Sequence, residues 1–327
     1  MSAFGGRAEV AAPPRRCGRI LRYFRIFRWD KMDVIKIELI ALDENGATLL
    51  RHRVSTPIGD YVGTLSAIAD LVLSAERELC QKGTLGIASP GAVSTRTGLL
   101  KNSNSTVLNG RPLVRDLSQR LGRPIRLEND ANCFALSEAV DGAAAAAHVV
   151  FGVILGTGVG GGIVIGKELI AGHNSIAGEW GHNPLPWATE SERPGAPCYC
   201  GKSGCVETFL SGAGLARDYH SRTARHLTAQ EIALAAAGGD RCAQECLTVY
   251  QDRLARSLAV VINLLDPDVI VLGGGLSNIV PLYAGLSALV GNYTFSDGID
   301  TPIVRAAHGD SSGVRGAAWL WPTASPT

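Results

Sequence analysis

The chain has no apolar run near the roughly 20 residues that a membrane-spanning helix needs. Its longest apolar runs, such as Val149–Leu155, have the length of buried strands. It also has almost no excess of charge: 31 Lys and Arg against 30 Asp and Glu leave a net charge of +1. That is too little for a global field to draw in nucleic acid or a membrane surface. Arg7, Arg15, Arg16, Arg19, Arg22, Arg25 and Arg28 crowd into residues 1–31, but no apolar core of secretory type follows them. This stretch reads as an N-terminal extension. There is no short-period repeat, and low complexity is confined to the alanine run at 143–147. What is present is a globular composition, 46% hydrophobic and 19% charged over 327 residues, enough chain for two domains. Eight cysteines without a secretory leader point to the reducing cytoplasm.

Lys36–Leu42 reads as a strand, and Asp43-Glu-Asn-Gly46 as a turn into a second strand over 47–54. Tyr61–Leu79 carries apolar residues at helical spacing. Thr84–Ser89 is a short buried strand ended by Pro90-Gly91, and 125–127 is another, followed at once by Asn129-Asp130 and a helix over 131–140. Strand, polar loop and helix in that order put Asp130 at the carboxyl end of a strand, the edge where open α/β sheets bind ligands. A second unit starts near Val149: a strand over Val149–Leu155, a glycine turn, a return strand over 163–165, a long helix over Arg241–Leu265 and a buried strand over 269–272. Gly273-Gly274-Gly275 closes that strand, and a further helix starts at Leu276. The expected architecture is α/β, with an N-terminal extension over 1–31, one α/β lobe over 32–140, a second over 141–327, and a cleft between the lobes.

Three clusters carry chemistry. Gly156-Thr157-Gly158-Val159-Gly160-Gly161-Gly162 lies between two strands, where glycine permits positive φ and lets a phosphate approach the amides. No Gly-Lys-Ser/Thr follows it, so it is no Walker loop. A strand follows where a Rossmann fingerprint needs a helix. Paired with Gly273, Gly274 and Gly275, it reads as a nucleotide clamp; the alternative is a pair of tight turns that bind nothing. Asp130 is the candidate base for phosphoryl transfer to an alcohol, with Asn129 beside it; an N-cap for the following helix is the plainer role. Glu179, His182 and Glu207 suit the vicinal hydroxyls of a sugar, or else form a surface ion cluster. Cys198, Cys200 and Cys205, with His182 upstream, match a closed tetrahedral zinc site, structural and without catalytic water. Cys17, Cys80, Cys133, Cys242 and Cys246 read as packing residues.

At these positions the chain resembles the ROK family of sugar kinases and related repressors. The likeness is carried by Leu127-Glu-Asn-Asp-Ala-Asn-Cys133, Leu155-Gly-Thr-Gly-Val-Gly-Gly-Gly162, Gly178-Glu-Trp-Gly-His182 and Cys198-Tyr-Cys-Gly-Lys-Ser-Gly-Cys-Val-Glu207. Within the family it is most similar to bacterial fructokinases, through Lys101-Asn-Ser-Asn-Ser-Thr106, Gly181-His-Asn-Pro-Leu-Pro-Trp187 and His308-Gly-Asp-Ser-Ser-Gly-Val-Arg-Gly-Ala-Ala-Trp319. The resemblance implies an actin-like ATPase (RNase H-like) fold and transfer of the γ-phosphate of ATP, with Mg2+, to the C6 hydroxyl of a hexose, fructose first. It implies Asp130 as base, and Asn104, Asn129, Glu179, His182 and Glu207 around the sugar. It implies His182, Cys198, Cys200 and Cys205 on zinc, with the two ring nitrogens of His182 shared between metal and sugar. Gly156, Thr157, Gly158, Gly160 and Gly273–Gly275 fall to the nucleotide. A homodimer is expected by the same analogy.

The departure is at the front. Family members open with a strand ending in Asp, any residue, Gly-Gly-Thr-Lys; here the stretch reads Trp29-Asp-Lys-Met-Asp-Val-Ile-Lys36. Lys36 matches the lysine, Asp30 and Asp33 are two candidates for the aspartate, and the glycines are missing. Weakened phosphate binding and low turnover are expected. The rival readings are an N-acetylglucosamine, glucose or mannose kinase, a sugar binder with impaired catalysis, and a sugar-sensing repressor. The last lacks a helix-turn-helix ahead of the lobes.

Overall fold

The computed structural model describes residues 22–28 as backbone, and residues 36–103, 105–309 and 312–322 in full. The first half contains β1 (Arg22–Arg28), β2 (Lys36–Leu42), β3 (Thr48–Ser55), α1 (Tyr61–Leu79), β4 (Thr84–Ser89), β5 (Ala92–Val93), β6 (Leu100–Lys101), α2 (Leu113–Leu121), β7 (Ile125–Asn129) and α3 (Asp130–Asp141). The second contains β8 (Val149–Leu155), β9 (Val159–Ile165), β10 (Glu168–Leu169), α4 (Val206–Leu210), α5 (Gly212–Thr223), α6 (Ala229–Ala237), α7 (Arg241–Leu265), β11 (Val269–Gly273), α8 (Leu286–Gly291), β12 (Ile303–Arg305) and α9 (Ser312–Ala318). No helix among the described residues is long and apolar enough to cross a membrane.

The two main sheets share one topology. The first runs β3-β2-β1-β4-β7 and the second β10-β9-β8-β11-β12. In each, three antiparallel strands are joined in sequence, and two more are added in parallel beside the first. Parallel pairing needs a crossover, and α1 and α7 supply the long ones. The result is the actin-like ATPase fold, a duplication that no short-period repeat in the sequence announces.

Two of the expected boundaries move. The extension over 1–31 contributes β1, which lies at the centre of the first sheet, antiparallel to β2 and parallel to β4. The turn after it, with Asp30 and Asp33, falls outside the described residues. Helix α3, expected to belong to the N-terminal lobe, packs instead on the second sheet. A β-carbon on Gly152 of β8 would stand 2.6 Å from the Ala135 Cβ. Helix α9 crosses back in exchange to cover the first sheet. The two helices meet so closely that a β-carbon on Gly316 would lie 1.5 Å from the carbonyl oxygen of Cys133. Only glycine allows that approach.

The three larger buried clusters among the described residues follow from this exchange. Ile37, Leu39, Ile68, Val72 and Ile87 fill the space between the first sheet and α1 and α2. Leu155, Leu215, Tyr250, Leu254 and Leu272 do the same for the second sheet and α4–α8. The third, with Ile40, Leu42, Phe134, Val150, Val271, Val314 and Trp319, joins the sheets through α3 and α9.

Candidate active site

Asp130 and Asn129 stand at the carboxyl end of β7, where the strand passes directly into α3. The N-cap of that helix is Asn129, not Asp130. The Asn129 Oδ1 accepts from the Asn132 amide at 2.6 Å, which fixes the side chain and leaves Nδ2 to donate to Glu179 Oε1 at 3.3 Å. Asp130 is the first residue of the helix and half-buried.

Glu179 reaches this point because the turn around it is nailed to β9. The indole of the buried Trp180 donates to the Gly160 carbonyl at 3.0 Å and meets the Phe151 ring edge-on at 5.7 Å. Desolvation pushes the Glu179 carboxyl above its ordinary value; the charges of Asp130 and Glu207 add to this, while His182 and Lys101 oppose it. A carboxyl that feels all four groups marks their convergence. Glu207, in the first turn of α4, accepts the Val159 amide on Oε2 at 3.0 Å. A β-carbon on Gly158 would stand 2.6 Å from that same oxygen. The polar cluster and the glycine turn are therefore neighbours.

The glycine segment differs from its expected form. The turn proper is Gly156–Gly158, closed by the Gly156 amide on the Gly158 carbonyl at 3.0 Å. Gly160, Gly161 and Gly162 belong to β9. None of these glycines has positive φ. Gly160 and Gly162 are bare because α3 lies on them: added β-carbons would meet the Ala131 Cβ at 2.9 Å and the Ala131 carbonyl oxygen at 2.8 Å. Gly273 ends β11 one strand away from β8, and Gly274 takes φ 83° under the Leu155 carbonyl. The expected helix at Leu276 is a single 3-10 turn over Gly275–Asn278. The Gly212 amide, opening α5, donates to the Gly156 carbonyl at 2.8 Å. Both glycine turns and the positive end of a 12-residue helix thus meet at one sheet edge.

His182, Cys198, Cys200 and Cys205 offer one imidazole nitrogen and three sulfurs, all within 4.8 Å of one another. The His182 Nδ1 lies 3.5 Å from Cys198 Sγ, and the Sγ atoms of Cys200 and Cys205 are 3.6 Å apart. Burial pushes the Cys205 thiol up to about 12 and the Cys198 thiol upward as well. Thiolates in such a place need a cation beside them, so this donor set fits a metal ion.

Residues 32–324 match the profile of the ROK family. The chain belongs to the ROK family. At 40% identity over 293 residues it is similar to the N-acetyl-D-glucosamine kinase of Haemophilus influenzae, covering 88% of this chain and 96% of that one. Its structure resembles the ROK hexokinase of Thermus thermophilus at TM-score 0.80 and 28% identity, over 93% and 97% of the two chains. It also resembles a ROK family glucokinase of Streptomyces griseus, solved with glucose and AMPPNP, at TM-score 0.72 and 27% identity over 93% and 99%. The expected likeness to fructokinases is not among what these relatives carry. The curated relatives that match at 40% identity are N-acetyl-D-glucosamine kinases.

Of the expected site residues, this ROK chain brings Asn129, Asp130, Glu179, His182 and Glu207 together, and beside them Gly156 and Gly158. Asn104 lies outside the described residues, though its loop is clamped by Asn109, which accepts from the Ser103 amide and donates to the Ser103 carbonyl, each at 2.8 Å. Of the two ring nitrogens of His182, Nδ1 lies 3.5 Å from Cys198 Sγ and Nε2 lies 2.9 Å from the hydroxyl of Tyr199. Two further residues lie beside this cluster that composition and spacing do not single out. Lys101 acts on the charge of Glu179, and its only signal in the sequence is its place in the segment Lys101-Asn-Ser-Asn-Ser-Thr106. Tyr199 sits between two cysteines of the candidate metal cluster, where the spacing of the thiols draws notice and the side chain between them does not.

Proposed function

We propose that this chain is an ATP-dependent hexosamine kinase that transfers the γ-phosphate of ATP to the C6 hydroxyl of N-acetylglucosamine. The observation that carries the reading is the convergence of Asp130, Asn129, Glu179 and Glu207 beside the glycine turn. The similarity to N-acetyl-D-glucosamine kinases over nearly the whole chain supports N-acetylglucosamine as the sugar.

In this reading the Asp130 carboxylate takes the proton of the C6 hydroxyl as its oxygen attacks the γ-phosphorus. The bond from that phosphorus to the β–γ bridging oxygen breaks, and ADP leaves. Asn129, with Oδ1 committed to the helix, presents only its Nδ2 donor to the sugar side. Glu179, Glu207 and His182 hold the other hydroxyls. Gly156, Thr157 and Gly158, with Gly273–Gly275, lie against the nucleotide. Magnesium bound to ATP would neutralise phosphate charge. Zinc is the metal that three thiolates and one imidazole suit best; held by Cys198, Cys200, Cys205 and His182 Nδ1, it would crosslink the loop that carries the sugar contacts.

A coupled ADP-release assay across N-acetylglucosamine, glucose, mannose and fructose tests the sugar. The expected order puts N-acetylglucosamine first in kcat/KM by at least about tenfold, roughly what one well-placed polar contact contributes. A preference for fructose restores the fructokinase reading. One sequence feature favours a further outcome: the loop between β1 and β2 lacks the family's glycines. β1 runs parallel to β4, and β4 to β7, so β1 ends at the same sheet edge as β7. The same assay is then expected to show an unusually high KM for ATP, and sugar binding without turnover would mark the chain as a binder.

A further inference from the structure

Tyr199 is 76% exposed, yet its side chain is not loose. Its hydroxyl lies 2.9 Å from His182 Nε2, and its ring stands at 88° to the imidazole with centroids 5.0 Å apart. The neighbouring backbone is fixed on both sides: Cys198 and Cys200 belong to the sulfur cluster, and the Cys198 amide donates to the Lys202 carbonyl at 2.7 Å. A large aromatic ring thus stands in the open against the imidazole of His182, which also faces the sulfur cluster.

The imidazole explains what the hydroxyl does there. A metal ion on Nδ1 would leave the one proton of a neutral ring to Nε2. That N–H would then donate to the Tyr199 oxygen, 2.9 Å away. It can serve only one acceptor well.

We propose that Tyr199 is a specificity-determining wall of the acceptor-sugar pocket, with its hydroxyl competing against a sugar hydroxyl for His182 Nε2–H. The inference rests on the hexosamine-kinase reading and deepens it. The ring offers an apolar face to the C–H side of a pyranose. The hydroxyl holds the imidazole in the orientation the sugar needs, and a sugar oxygen must displace it to bind. The two parts of the side chain therefore pull affinity in opposite directions.

Isothermal calorimetry with N-acetylglucosamine alone separates them. Tyr199→Phe keeps the wall and removes the competitor, so the sugar should bind roughly three- to tenfold tighter, the weight of one net hydrogen bond. Tyr199→Ala removes the wall and should bind it at least about tenfold more weakly. Metal content and far-ultraviolet circular dichroism, measured on both variants, keep a collapsed loop from posing as a weaker pocket. A purely structural tyrosine would shift both variants the same way or neither. The proposal is overturned if Tyr199→Phe, with metal content intact, binds no tighter than the parent, or if Tyr199→Ala binds as tightly. Should the unmodified protein bind none of the tested hexoses, the hexosamine-kinase reading itself fails, a result distinct from either.

Discussion

At the scale of single residues, glycine carries two different messages along one short stretch. Gly158 stands clear except for a carboxylate oxygen of Glu207, the end of a movable side chain. Gly162 is boxed in by the Ala131 carbonyl oxygen, the Ala135 Cβ and the Asn132 Cα. The first is open to a ligand, and the second serves helix–strand packing. Gly162→Ala is therefore expected to lower stability by about 1–3 kcal/mol, the usual cost of forcing atoms into a filled core, as urea denaturation would show. Unchanged stability would contradict the packing role. The sequence alone could not separate these glycines, because both look like loop glycines until α3 is laid on β9. It did single out Asp130, since a carboxylate after a buried strand has a place in any α/β sheet. It could not see that Asn129, not Asp130, takes the capping role.

At the scale of elements, the segment that carries His182 and the cysteines is held at two points. One is the sulfur cluster. The other is Glu192, buried under α7, which accepts Arg253 Nε at 2.7 Å and Arg256 Nη2 at 2.8 Å. Arg256 also donates to the carbonyls of Pro186 and Trp187, at 2.9 and 3.0 Å. Burial works against the Glu192 charge, but the hydrogen bonds from Arg256 and Arg253 hold its carboxyl at about 2, below the ordinary 4.5. A depressed value in the folded state stabilises above the ordinary pKa, and that stability fades as pH falls toward 2. Glu192→Gln should therefore lose on the order of 3 kcal/mol at pH 7. The gap to the parent should narrow between about pH 4.5 and 2. Denaturation of both proteins at pH 7 and pH 3 measures it, and an equal gap at both would contradict the account. The long α7 was legible from its periodicity. This ion network was not, because Glu192 and Arg256 are 64 residues apart in sequence.

At the scale of the whole molecule, the two sheets are joined by α3 and α9 and by a polar link at their ends. Glu138, fully buried, accepts the Ala307 amide at 2.9 Å and the Ser312 hydroxyl at 2.7 Å. Asp141 accepts His308 Nε2 at 3.0 Å and is paired with Arg315. The Asp141 hydrogen bond raises the His308 value above its ordinary 6.5. Burial opposes the Asp141 charge, yet hydrogen bonds from His308 and Arg315 hold its carboxyl below the ordinary 3.8. The histidine's contribution is complete below pH 6.5 and is lost as pH rises through its folded value. The aspartate's is present above pH 3.8 and lost on acidification. The loss of Tm on His308→Ala should thus be largest between those limits and shrink above pH 7. A loss that grows with pH would contradict the link.

The duplication itself escaped the sequence because like topologies do not require like residues. Only the strand-by-strand pairing shows that β1–β4–β7 and β8–β11–β12 end at corresponding edges. That correspondence is what places Asp130 across from the glycine turns. The most direct test is the rate of ADP release with ATP and N-acetylglucosamine, compared between the parent chain and Asp130→Asn. With the fold intact by circular dichroism and sugar binding retained, the variant should lose at least about 100-fold in kcat, the contribution of a positioned base. A folded Asp130→Asn variant that turns over at the parent rate would contradict the account.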